Sequence, residues 1–468
     1  WVYGKKYGYV TQIQYFRARF ESSGLGYLLF PILVGLVIPY LLIGVIGAGK
    51  TILPVTAGAF PELFKNPQTP QWAGGIPPWL TGLVVCTVVL VYVLAGGSRS
   101  AAWANTFQTL IFMIMGVVAF VFIARSLGGV VQAANVPLKV LENGQVVQRY
   151  SWDRKQKKLI KLEEPKVVGR LDEEGGIGEV TDGVSQAIAH QPHLSRTVTR
   201  VQLNTKNPKT GQIGSFKREY GVPPLMFLTY MFIPLSVGMF PHLFQHWLTA
   251  RSAKTFHLTL IVHPLFIMIV WVPCVLIGSW ASGILPNLPA DKVSAVLGIM
   301  VRTLVDNPIL TGLLTAGILA AIMSSLDSQF LCMGTIFTND IVLHLAGRDR
   351  FSDRQVIWIA RGFVITIVAL TYLLSLTSPQ NVFDLAIWCF SGFGALFPVV
   401  FCAIFWKRTT KAGAYASITA AAVVWVWFFR ASGYGGEYVV WGSVMPAALC
   451  FAASAVAIVV VSLLTPPP

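Results

Sequence analysis

Apolar stretches long enough to cross a bilayer recur about ten times in this chain, and no other feature constrains its fold as much. They cover roughly residues 27–46, 80–95, 104–123, 225–248, 258–280, 310–331, 356–376, 383–405, 412–429 and 445–464. In hydrocarbon a backbone must satisfy its own N–H and C=O groups, so runs of this length predict transmembrane helices. With 54% of its residues hydrophobic and 12% charged, the chain reads as an integral membrane protein and not as a large soluble one.

The formal charge of +15 calls for no nucleic-acid partner. If residues 1–23 are cytoplasmic, then Lys5, Arg17, Arg99, Lys254, Arg350 and Lys407 all fall on that side, which is the ordinary bias of cytoplasmic loops. The six cysteines sit inside apolar runs without C-x-x-C spacing and read as small hydrophobes, neither metal ligands nor a disulfide frame. The chain opens on Trp1, with neither an initiator methionine nor a signal peptide, and is read as a fragment or a processed product.

Three regions follow from the pattern: a cytoplasmic loop with the first three membrane segments (1–125), an insertion (126–221), and the remaining membrane segments (222–468). The insertion is charged and turn-rich. Asn143-Gly144 and the Asn207–Gly211 stretch punctuate runs such as QVVQRY and RTVTRVQL, which predicts a β-rich region, extracytoplasmic by the charge bias. Its His190 and His193 lack a third partner and read as solvated loop residues. The segment Gly44 to Thr51 matches the phosphate-loop pattern G-x-x-x-x-G-K-[ST], but that mechanism needs a strand before the loop, and here an apolar helix precedes it. The match is taken as chance.

Two segments carry polar chemistry inside the membrane. In 225–248, Pro234, Gly238 and Pro241 remove two amide donors and add a flexible point, which predicts a helix broken at mid-membrane. Interrupted helices are how transporters present backbone polar groups to substrates. The run from Leu314 to Asp340 places Ser324, Ser325, Asp327, Ser328 and Gln329 near its middle. Ala321, Ser324 and Ser325 share one helix face, where a carbonyl and two hydroxyls make half of an oxygen cage for a small hard cation such as sodium. The alternative is that the serines bond back to carbonyls one turn earlier. Asp327 lies one turn beyond Ser324, where it tunes cation binding, relays a proton or bonds to a neighbouring helix.

The residues then carry a resemblance. GGSRSAAWANTFQ resembles the GG-x-x-A-V-x-x-T-D-x-x-Q stretch of the sodium:solute symporter family. FPHLFQHWLTARSAK resembles that family's P-H-x-x-x-R-x-x-x-A-x-x-x-K helix end, in the form seen in proline- and pantothenate-type permeases, and AAIMSSLDSQFL and FWKRTTKAGA complete the set. The resemblance implies an all-α membrane protein with the five-plus-five inverted-repeat transporter fold. It also implies that the family's first helices should precede residue 1, so that a groove is left facing Ser324, Ser325 and the break near Gly238.

On that fold, Ala321, Ser324 and Ser325 fall on the sodium positions of the eighth core helix. The solute is expected beside the broken helix, at Ser236, Gly238 and Phe240, together with Trp388. Asn105 departs from the aspartate that some relatives carry with an additional sodium, and His246 replaces the usual arginine. The implied function is sodium-coupled symport of a small organic solute across the plasma (inner) membrane, with an amino acid or carboxylate favoured over a sugar. Sodium, the solute and the bilayer are then the partners, with no cofactor and no enzymatic step. The alternative is a non-transporting sensor on the same fold, which would carry a long signalling domain after the last helix.

Overall fold

The computed structural model describes residues 1–65, 72–130, 133, 139–142, 145–153, 158–170, 199–206, 213–220, 223–284, 294–305, 307–377, 382–436 and 438–466. His190 and His193 lie outside them. Two compact units divide the chain: one holds Trp1–Phe112, Leu228–Leu265 and Ile318–Pro468, the other Met113–Phe227 and Phe266–Gly317.

The first unit begins with two short helices, α1 (Val2–Tyr7) and α2 (Gln12–Arg19). A reciprocal box starts α2: Thr11 Oγ1 accepts from the Gln14 amide, and Gln14 Oε1 accepts from the Thr11 amide. Next comes α3 (Ser23–Val55), which tolerates Pro31 and Pro39 in its interior. The whole of Gly44 to Thr51 is helical within α3, so no phosphate loop forms there.

Helix α4 (Pro78–Ser126) has 49 residues and a non-helical Gly97 at φ 58°, ψ −146°. A side chain there would suffer the left-handed penalty that glycine escapes. The two segments expected at 80–95 and 104–123 are two helices that meet at the Gly97 kink.

After the strands come α5 (Pro224–Tyr230), a 3₁₀ turn (Pro234–Met239) and α6 (Pro241–Thr249), with a 50° bend between the two halves. The break falls where Pro234, Gly238 and Pro241 predict it. Then follow α7 (Lys254–Ile284), α8 (Val296–Leu304) and α9 (Pro308–Ile336), which runs into a π-helical turn (Phe337–Val342) and α10 (Leu343–Ala346). The chain closes with α11 (Asp353–Thr377), α12 (Val382–Ala395), α13 (Phe397–Phe405), α14 (Lys411–Ala431) and α15 (Pro446–Leu464). Among the described residues eight helices are long and apolar enough to span a membrane, or nine with the bent pair counted. Counting the two helices that meet at the Gly97 kink separately brings these to the ten expected segments.

The core of the first unit is aliphatic and aromatic: Leu25, Leu29 and Leu33 of α3 are buried with Phe330 of α9, Phe393 of α12 and Ile418 of α14. In the second unit, Ile123 of α4, Trp280 of α7 and Met300 of α8 share a smaller core. Phe120 stacks on Trp280 with centroids 5.5 Å apart, and Ser126 Oγ donates to the Leu304 carbonyl at 3.0 Å.

Five strands also belong to the second unit. β1 (Lys139–Glu142), β2 (Gln145–Asp153) and β3 (Lys158–Arg170) form an antiparallel sheet in that order, and β4 (Thr199–Lys206) pairs with β5 (Ile213–Tyr220). Glu142 pairs with Gln145, so β1 and β2 are joined by two residues, Asn143 and Gly144, which are not described.

Candidate functional site

Helix α9 carries the residues that the sequence singles out, and it brings two of their oxygens together. Ser324 Oγ donates to the Ala321 carbonyl at 2.9 Å. The back-bonding alternative is therefore realised at Ser324, and it sets a hydroxyl and a carbonyl oxygen side by side with lone pairs to spare. Ala321 and Ser324 are half-buried, and Ser325 is exposed. This face of α9 is partly open, while Leu326 on the next face is buried in the core.

One turn on, Asp327 is fully buried. The Tyr92 hydroxyl of α4 donates to Asp327 Oδ2 at 2.9 Å, and Ser328 Oγ donates to Oδ1 at 3.2 Å. Ser328 in turn accepts from Asn105 Nδ2, also of α4, at 2.9 Å. All these partners are neutral. Asn105 Oδ1 and Gln108 Oε1 are enclosed without a hydrogen-bond partner among the described residues.

The residues expected at the solute site divide into two groups. Ser236 and Phe240 are buried, and Gly238 lies so close to Phe397 that a Cβ there would sit 2.7 Å from the ring. Phe240 meets Phe393 edge-on at 5.2 Å and packs on Phe390 and Tyr40. The broken helix thus lies along α12 and α13. Trp388 stands apart from this group. Its Nε1 donates to the Gly435 carbonyl at 2.8 Å, and its ring meets Phe429 and Trp425 of α14. Residues 388 and 390 are about 200° apart around a helix, so Trp388 and Phe390 face opposite ways. His246 is exposed on α6.

A second buried carboxylate escaped the sequence reading. Asp340, in the π-helical turn, is fully buried and accepts from Thr11 Oγ1 at 2.6 Å. Arg17 Nη2 donates to Asp340 Oδ1 at 2.9 Å and to its carbonyl at 3.1 Å. Short π-helical turns interrupt helices most often at functional positions. Around the pair, the Gln12 amide and the Thr338 hydroxyl are buried without hydrogen-bond partners among the described residues. So is the Tyr15 hydroxyl, whose pKa burial pushes up to about 12. The available signal was an acid at the end of an apolar run, which requires a cation nearby.

Residues 175–420 match the model of the sodium:solute symporter family. The chain belongs to the sodium:solute symporter family. It is therefore a multi-pass integral membrane protein, and its kin are transporters and not enzymes. Among curated relatives, the osmoregulated proline transporter OpuE of Bacillus subtilis is 32% identical over 165 residues, 34% of this chain and 33% of that one. The sodium/proline symporter of Escherichia coli is 31% identical over 200 residues, covering 40% and 38%. The matched stretches thus span little more than a third of those relatives. In fold, this symporter-family chain is similar to a Na+-coupled sialic acid symporter solved in a substrate-bound outward-open state. The TM-score is 0.59 at 16% identity, over 98% of this chain and 78% of that one.

Proposed function

We propose that this protein is a sodium-coupled symporter of a small organic solute, an amino acid of the proline type. The observation that carries the reading is the placement of the Ala321 carbonyl and the Ser324 and Ser325 hydroxyls on one partly open face of a membrane helix. Sodium is a hard cation that takes such neutral oxygens as ligands. Family membership supports this choice of ion, and the proline transporters among the relatives support the choice of solute.

In this reading Ala321, Ser324 and Ser325 supply oxygens to sodium, and Asp327 tunes that site from one turn away. The solute binds along the broken helix at Ser236, Gly238 and Phe240, where backbone groups freed by the 3₁₀ turn are available for a carboxylate or an imino group. Trp388 stays outside this group, packed against α14 on the other side of α12. The repeats of a five-plus-five fold then rock about the site, with the β strands on the outer side of a plasma membrane.

Accumulation of radiolabelled proline by proteoliposomes is the test. Uptake is expected under an inward sodium gradient and absent when potassium replaces sodium. Equal uptake in the two salts would contradict the coupling.

A further inference from the structure

The end of α2 with the residues after it, the start of α14 and the residues at the end of α15 line a half-open cavity of about 810 Å³. Arg19, Glu21, Thr410, Lys411, Tyr415 and Thr465 are among its lining. Its polar floor is fixed. Thr410 Oγ1 caps α14 through the Gly413 amide at 3.1 Å and bonds to Thr465 Oγ1 at 2.7 Å, while the Tyr415 hydroxyl bonds to Ser22 Oγ at 3.0 Å.

Arg19 is held for display. Its Nε donates to the Ala403 carbonyl at 3.0 Å, and its guanidinium lies over the Phe20 ring at 5.3 Å. Neither Nη group has a protein hydrogen bond among the described residues, and Lys411 has no ion pair among them. Against these two cations stands one acid, Glu21. The surplus of one positive charge matches a singly charged phosphodiester, and the opening turn of α14 adds amide donors on the same side.

The cavity lies where two membrane spans end, at Lys411 and Leu464, which is the level of lipid headgroups. Leu464, next to the lining residue Thr465, is 80% exposed, an apolar surface suited to acyl chains. We propose that this cavity binds the phosphate of an anionic glycerophospholipid from the cytoplasmic leaflet. The proposal does not depend on the identity of the transported solute.

The protein reconstituted in mixed phosphatidylglycerol and phosphatidylcholine nanodiscs, then released for native mass spectrometry, tests it. Phosphatidylglycerol should be retained in preference to phosphatidylcholine. Lys411→Gln, at an exposed position, should weaken retention about fivefold, as should Arg19→Gln, and Glu21→Gln should strengthen it. If Arg19→Gln lowers the melting temperature, Lys411→Gln alone decides. Equal retention of both lipids, or no change in Lys411→Gln, would overturn the proposal. Displacement of the lipid by millimolar inorganic phosphate would also overturn it, since the cavity would then be a site for a free anion.

Discussion

Two buried aspartates stand thirteen residues apart on α9 and its π-helical extension, and they are held in opposite ways. Asp340 is paired with Arg17, and Thr11 adds a short hydrogen bond. Asp327 is held, among the described residues, by neutral groups: a phenol, a serine hydroxyl and the amide of Asn105 beside it. A buried charge with a cationic partner is a structural fastening whose rupture orphans the other charge. A buried carboxyl among neutral groups can be altered without orphaning a charge, which suits a group that responds to an arriving cation. The same helix thus carries a clasp at one end and an adjustable group beside the proposed sodium oxygens.

The largest expected effect breaks the clasp. Asp340→Ala leaves Arg17 unpaired and should destabilise the protein by about 3–5 kcal/mol, read as a lower melting temperature in detergent. Arg17→Ala should do the same, and the double variant should recover part of the loss. Additive losses would mean that the two residues do not act as a pair.

Thr11→Val sharpens the comparison by removing one bond to the carboxylate while leaving the ion pair, at a further loss of about 1 kcal/mol for the α2 cap that the same hydroxyl makes. The cost should be about 1.5–3 kcal/mol, the range for hydrogen bonds to charged groups. A loss as large as that of Asp340→Ala would assign the fastening to the hydroxyl and not to Arg17.

The smallest effect on stability is expected at the other carboxyl. Asp327→Asn keeps an acceptor for Tyr92 and orphans no cation, so it should cost under about 1 kcal/mol. Its consequence should instead be a changed sodium dependence of uptake. A collapse in melting temperature comparable to that of Asp340→Ala would erase the distinction between the two regions.

Local chemistry made much of this legible in the sequence. Pro234, Gly238 and Pro241 announce a broken helix because proline has no amide to donate, and the 3₁₀ turn lies there. The serines and Asp327 stand out because polar groups are costly inside an apolar run. What stayed hidden depends on chain segments meeting across the fold. Arg17 and Asp340 are 323 residues apart in sequence, so Arg17 reads as one more basic loop residue. Asn105 and Tyr92 give no sign that they turn toward Ser328 and Asp327. Trp388 is expected at the solute site with Phe240, yet helix geometry turns it toward α14.

The central claim is that Ser324 and Ser325 give oxygens to sodium, and a sodium titration in the absence of solute tests it most directly. Intrinsic fluorescence of the 14 tryptophans, with choline replacing sodium to hold ionic strength constant, supplies the readout. Removing either hydroxyl should cost about 1.5–3 kcal/mol of cation binding, roughly a ten- to hundredfold weaker apparent affinity. Ser328→Ala, one turn further along, should shift the curve less. Titration curves for Ser324→Ala and Ser325→Ala that overlay the unmodified protein would contradict the assignment.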